Sequence, residues 1–259
     1  AVKCWGNNWY GQLGDPKAGG FSAVPVQVAG LDKGAKGICA GTGQSCAVLV
    51  DGSVRCWGYV APGLQSSSPT PIPGMSEDVV AVGCGGPQMC ALFGNGTVKC
   101  MGEGWSEKPE PVLLDKVSDA RAIAVGNYGV GVLLASGKVW WSSDGNGSIL
   151  SLAAATAISA HESVCAVLVD GSVSCFGFGA ETRSVAELGA KAVAVAPGTP
   201  RCALLTDGTV KCWKGKEAPF GVAVKGRAAV GTLDSGAGHV CVITPDGGLR
   251  CWGDDRLGQ

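Results

Sequence analysis

Cys46-Ala47-Val48-Leu49-Val50-Asp51-Gly52-Ser53-Val54-Arg55-Cys56, followed at once by Trp57-Gly58, is the stretch that the rest of the chain copies. Further copies start at Cys90, Gly131, Cys165, Cys202 and Cys241, and each carries a glycine six residues in: Gly52, Gly96, Gly137, Gly171, Gly208 and Gly247. A repeat of this kind decides the fold, because one unit cannot bury its apolar face alone. Each copy reads as a β-hairpin. The loop Val50-Asp51-Gly52 fits a type I turn whose last residue is left-handed, a conformation glycine adopts without a Cβ clash. That loop pairs Leu49 with Ser53, Val48 with Val54, Ala47 with Arg55 and Cys46 with Cys56. Directly opposed residues stand about 4.5 to 5.5 Å apart at Cα, within reach of a disulfide. The same spacing predicts the pairs Cys90–Cys100, Cys165–Cys175, Cys202–Cys212 and Cys241–Cys251. In the copy at Gly131 both positions are lost together, to Gly131 and Trp141, as expected if a lone thiol there has no use.

The chain has 259 residues, 43 of them glycine, and is only 16% charged, against roughly 25% in a typical soluble domain. Its formal net charge is -1, with basic and acidic residues scattered, so it carries no broad electrostatic footprint for nucleic acid or anionic membrane. The longest weakly polar run, Ile149 to Ala160, is shorter than the ~20 residues of a spanning helix, and no direct membrane insertion is expected. Thirteen cysteines leave three beyond the five pairs: Cys4, Cys39 and Cys84. Dense disulfides imply an oxidising compartment, hence secretion or the cell surface.

Residues 1–14 match the second half of a repeat, with Cys4 at the position of Cys56, and residues 251–259 stop inside the same turn. We therefore expect a segment of a longer protein, with the partner of Cys4 upstream of residue 1. Trp5-Gly6, four residues, then Gly11-Gln12-Leu13-Gly14, beside a small-apolar strand and an Asp-Gly hairpin, resembles the regulator of chromosome condensation repeat, a seven-bladed β-propeller family. The best match is residues 2–14, and weaker copies cover essentially the whole chain. The resemblance implies an all-β fold: one propeller over residues 1–259, here with cross-strand disulfides in its hairpins.

Between hairpins the pattern offers an outer strand near a proline (Val24 to Val28; Pro109 to Leu114), then a small-residue inner strand. Inner candidates are Gly37 to Gly41, Val79 to Gly83, Ala122 to Gly126, Ala155 to Ser159, Ala192 to Ala196 and Ala228 to Thr232. Middle strands are continuously apolar because blades cover both faces. Between Trp141 and Ala155 there is barely room for a fourth strand. Second hairpin strands number seven and first strands six, so seven blades with one incomplete is the expectation, and six with a dangling N-terminal strand the alternative. Cys39 and Cys84 fall in equivalent inner strands of successive blades and either bridge them or remain buried thiols.

Catalytic chemistry is not legible. His161 and His239 are the only histidines, and no His-x-x-x-His, Cys-x-x-Cys or acidic cluster suggests a metal. The Gly-x-Gly stretches lack the third glycine of a dinucleotide loop, and no glycine-flanked serine forms a nucleophile elbow. Asp51, Asp170, Asp207 and Asp246 each sit mid-turn, where turn chemistry accounts for them. No catalytic residue, metal ligand or cofactor is therefore expected. Asn95-Gly-Thr97 and Asn146-Gly-Ser148 are sequons open to glycosylation. Trp9, Tyr10 and Trp105 lie in equivalent loops and form a candidate binding surface.

The expected function is a non-catalytic extracellular module, binding a protein partner or copies of itself in a surface assembly. A guanine nucleotide exchange factor or chromatin-binding propeller is the alternative that the family resemblance implies, and a carbohydrate-binding propeller a further one. Paired cysteines argue against a reducing nucleus, and no basic face argues for nucleic acid.

Overall fold

The computed structural model describes residues 1–105, 109–144, 146–177, 180–185, 188–214, 220–222, 233–236, 238–244 and 246–254. Its strands fall into seven antiparallel sheets. The first blade pairs β1 (Lys3–Asn7) with β2 (Phe21–Gln27). The second runs β3 (Ala35–Ala40), β4 (Gln44–Leu49), β5 (Val54–Ala61), β6 (Leu64–Pro71), and the third β7 (Val79–Gly85), β8 (Gln88–Phe93), β9 (Val98–Gly102), β10 (Val112–Leu113). The fourth comprises β11 (Ala120–Gly126), β12 (Gly129–Leu134), β13 (Val139–Ser142) and β14 (Ser148–Ile149). The fifth comprises β15 (Ala155–Ala160), β16 (Ser163–Leu168), β17 (Val173–Gly177) and β18 (Ala180–Val185). The sixth comprises β19 (Ala192–Ala196), β20 (Arg201–Leu205), β21 (Val210–Trp213) and β22 (Phe220–Val222). Among the described residues the seventh has three strands, β23 (Leu233–Ser235), β24 (His239–Ile243) and β25 (Leu249–Gly253). Inner strands pack in the order β3, β7, β11, β15, β19, β23. None of the described residues forms a helix long and apolar enough to cross a membrane.

The hairpin register is the one the turn dictates: Val48 opposes Val54, Ala47 Arg55 and Cys46 Cys56. Leu49 and Ser53 close the turn, where Gly52 has φ 82°. Asp51 fixes the loop by accepting hydrogen bonds from the Ser53 amide (2.9 Å) and hydroxyl (2.7 Å). The five hairpin cysteine pairs are disulfide-bonded, with Cα separations of 4.0 to 4.1 Å. They stand closer than the expected range because the bridge draws a directly opposed pair together. A sixth disulfide, Cys39–Cys84, joins the inner strands of blades two and three across 5.3 Å at Cα. Cys4 is the free cysteine, and burial pushes its thiol up to about 11.

Middle strands β4, β8, β12, β16 and β20 are buried along nearly their whole length, β12 throughout, whereas β24 is buried only at Val240 and Val242. Six apolar clusters fill the six gaps between consecutive blades. The residue after the second hairpin cysteine faces the preceding blade: Trp57 fills the gap to blade one, and Trp213 the gap to blade five. In blade four that position is Ser142, and Trp140 occupies the gap instead. The glycine of Trp57-Gly58 has φ 85° at a bulge, and a Cβ there would collide with the Gly43 carbonyl.

The inner strand expected at residues 228–232 falls outside the described residues, and the one described in blade seven is Leu233–Ser235. The fourth strand of blade four is the two-residue β14, the short edge that the few residues between Trp141 and Ala155 leave room for.

Candidate functional site

The loop after β1 is built by its own polar side chains. Asn7 accepts from the Trp9 amide (2.8 Å), and Gln12 accepts from the Tyr10 amide (3.0 Å). Asn8, buried, donates to the Gly19 carbonyl (2.7 Å) and accepts from the Leu13 amide (2.9 Å). The loop then docks on blade two: the Gln12 carbonyl accepts from the Trp57 indole (2.8 Å) and from the Ser45 hydroxyl (3.0 Å). Tyr10 lies over Gly43, with its ring 5.9 Å from that of Tyr59. Trp9 is left at the tip, 77% exposed, the largest such value among the exposed large hydrophobics. Beside it opens a shallow groove of about 430 Å³ lined by Trp9, Tyr10, Asp15, Gln65, Ser66 and Ser67. An exposed aromatic beside polar groups, on a loop whose backbone is held by hydrogen bonds, suits recognition of a surface.

Trp105 is arranged differently. It is half-buried, packs against the cluster between blades three and four, and donates its indole N–H to the Gln88 side chain. It belongs to the scaffold and does not share the exposed patch with Trp9 and Tyr10, because the buried Gln88 offers its indole nitrogen a partner. Asn95 is exposed at its hairpin tip, where its side-chain oxygen accepts from the Thr97 amide (3.0 Å) and hydroxyl (2.7 Å). Asn146 is exposed before β14.

Gln44 and Gln88 escaped the sequence reading. Both are buried; the Gln44 amide donates to the Gln88 carbonyl (2.9 Å), and the Gln88 amide to the Gly126 carbonyl (2.7 Å). These bonds link blades two, three and four. Their shared place, two residues before the hairpin cysteine, was the available signal. His239 occupies the same place in blade seven, as the repeat implied. Burial lowers the pKa of His161 below the ordinary imidazole value, and the charges of Glu162 and Asp234 oppose that shift only in part.

The Regulator of chromosome condensation (RCC1) repeat profile matches residues 232–259, the stretch containing β23 to β25. The chain also superposes on Prp20p from Saccharomyces cerevisiae with a TM-score of 0.84 and 16% identity, covering 99% of this chain and 81% of that one. The last blade thus carries a repeat of the regulator of chromosome condensation type, on a fold shared with Prp20p. The same propeller fold occurs in human WBSCR16 (TM-score 0.83, 18% identity, covering 99% and 89% of the two chains). It also occurs in the CRINKLY WD40 ectodomain of the Arabidopsis thaliana receptor kinase ACR4 (0.64, 21%, 85% and 81%). At these identities the likeness of the propellers is one of fold. No curated protein matches the chain in sequence.

Proposed function

We propose that the chain is a non-catalytic, extracellular or cell-surface propeller that binds a protein partner through the loop carrying Trp9 and Tyr10. The observation that carries this reading is the exposure of Trp9 on a loop held by side-chain hydrogen bonds on both flanks. Large aromatics are typical anchors of protein interfaces. Six disulfides support an oxidising compartment, and exposed Asn95 and Asn146 are offered as glycan acceptors there. Partner binding is also what is known of a fold relative: Prp20p binds Gsp1p and histones. Exchange-factor activity is disfavoured, because the cysteine pairs would be reduced in a nucleus.

The test places a photo-crosslinking phenylalanine analogue at Trp9, with Val24 as an exposed control, on protein secreted from the native source. Crosslinks to a defined protein, or to a second copy of the chain, at position 9 and not at 24 support the reading. Crosslinks at neither position, together with glycan-array binding abolished by Trp9→Ala, favour the carbohydrate-binding alternative.

A further inference from the structure

The groove beside Trp9 has spent most of its own hydrogen-bond donors. On the loop side, the backbone amides of Asn8, Trp9, Tyr10, Gly11 and Ala18 all donate to acceptors within the same loop. Pro16, which also lines the groove, has no amide hydrogen to offer. The Asn8 side chain donates to the Ala18 and Gly19 carbonyls, and the Gln65 side chain, from blade two, to the Tyr10 carbonyl (3.4 Å). Acceptors remain. Asp15 is half-buried and accepts from the Lys17 amide (2.9 Å) through one carboxylate oxygen, while the other has no partner among the described residues. Among the described residues lining the groove, Asp15 is also the one that carries a charge. Trp9 and Tyr10, 77% and 46% exposed, add aromatic surface beside that carboxylate.

We propose that this groove seats an arginine side chain of the protein partner, with its guanidinium on the Asp15 carboxylate and its flat face against the Trp9 indole. The inference rests on the Trp9 loop being the contact surface. A guanidinium has N–H donors and no acceptor, so it suits a groove left with acceptors. Its positive charge complements Asp15, and bonds between two ionised groups are the stronger kind. Being planar and weakly hydrated, it also stacks on an aromatic face, where the compact, strongly hydrated ammonium of lysine fits less well. A sugar is a poorer match, because each hydroxyl both donates and accepts, and few donors remain to meet it. At about 430 Å³ the groove has room for one long side chain. One arginine is therefore the unit recognised.

The experiment titrates the whole chain, bearing isotope-labelled tryptophan, with end-blocked glycyl-arginyl-glycine and glycyl-citrullyl-glycine. The Trp9 indole signal is followed by NMR and assigned through its loss in Trp9→Phe. Citrulline keeps the planar shape and drops the charge. The arginine peptide should shift the Trp9 signal saturably, with an affinity at least about tenfold above that of the citrulline peptide, the step a charge-assisted bond is worth. Asp15→Asn should remove that advantage while the Trp57 indole signal, which reports the docked loop, stays in place. An equal response of the wild-type chain to both peptides overturns the proposal, as does an arginine preference retained in Asp15→Asn. A Trp9 shift produced by mannose or N-acetylglucosamine and by neither peptide overturns it too. The two readings fail separately: crosslinking of a protein at position 9 without any arginine preference sinks this inference alone, whereas absent crosslinking sinks the contact surface on which it rests.

Discussion

At the scale of single residues, the hairpin turn concentrates several constraints on two neighbours. Gly52 is left-handed, and a Cβ there would stand 2.6 Å from the Asp78 amide nitrogen. Gly247 has the same φ, at 79°, but faces open space. Gly52→Ala should therefore cost about 2 to 3 kcal/mol and Gly247→Ala about 1 kcal/mol, the difference being steric. Urea unfolding of the two variants checks it, and equal losses would mean that the close approach carries no weight. Asp51 next door has its carboxyl pKa lowered by the hydrogen bonds from the Ser53 amide and hydroxyl. Its support for the fold is complete above the ordinary aspartate value and is lost as pH falls through the lowered one. Asp51→Ala should accordingly destabilise at pH 7 and lose its effect in strong acid. Thermal melts of this variant and the wild type across that range read the convergence directly. These turn residues were legible in the sequence, because the chemistry that specifies them is local.

At the scale of elements, blades are held together by apolar clusters and by a few buried amides. Removing the Gln88 side chain deletes the donor to the Gly126 carbonyl and strands the Trp105 indole N–H. Gln88→Ala should cost about 1 to 3 kcal/mol, the penalty of leaving a buried group unsatisfied. It should also alter Trp105 fluorescence, which a loss of packing elsewhere would not do. Strand order and hairpin register could be read in advance because the side-chain period and the turn length fix them. The contribution of Gln88 could not, since its partners lie one blade away and 38 residues along the chain. For the same reason Trp105 read as exposed: composition alone does not reveal that a neighbouring strand offers its indole an acceptor. Trp9 and Tyr10 were legible because their exposure follows from local turn geometry.

At the scale of the whole molecule, charge and covalent connectivity decide the response to conditions. Burial lowers the pKa of His161, so the unfolded chain binds a proton more readily near the ordinary imidazole value. Its contribution is full above about pH 6.5 and declines as pH falls below it. The disulfides matter here in a further way, when the chain is pulled from its two ends. Cys39–Cys84 closes a loop with a sequence separation of 45 that encloses Cys46–Cys56, and four other bridges each close one of 10. At roughly 3.5 Å per residue, about 300 Å of chain is withheld from extension under tension. In a force spectrometer the oxidised chain should run taut early, and reductant should release that slack, so the molecule behaves as a short, stiff tether whose length is set by its redox state.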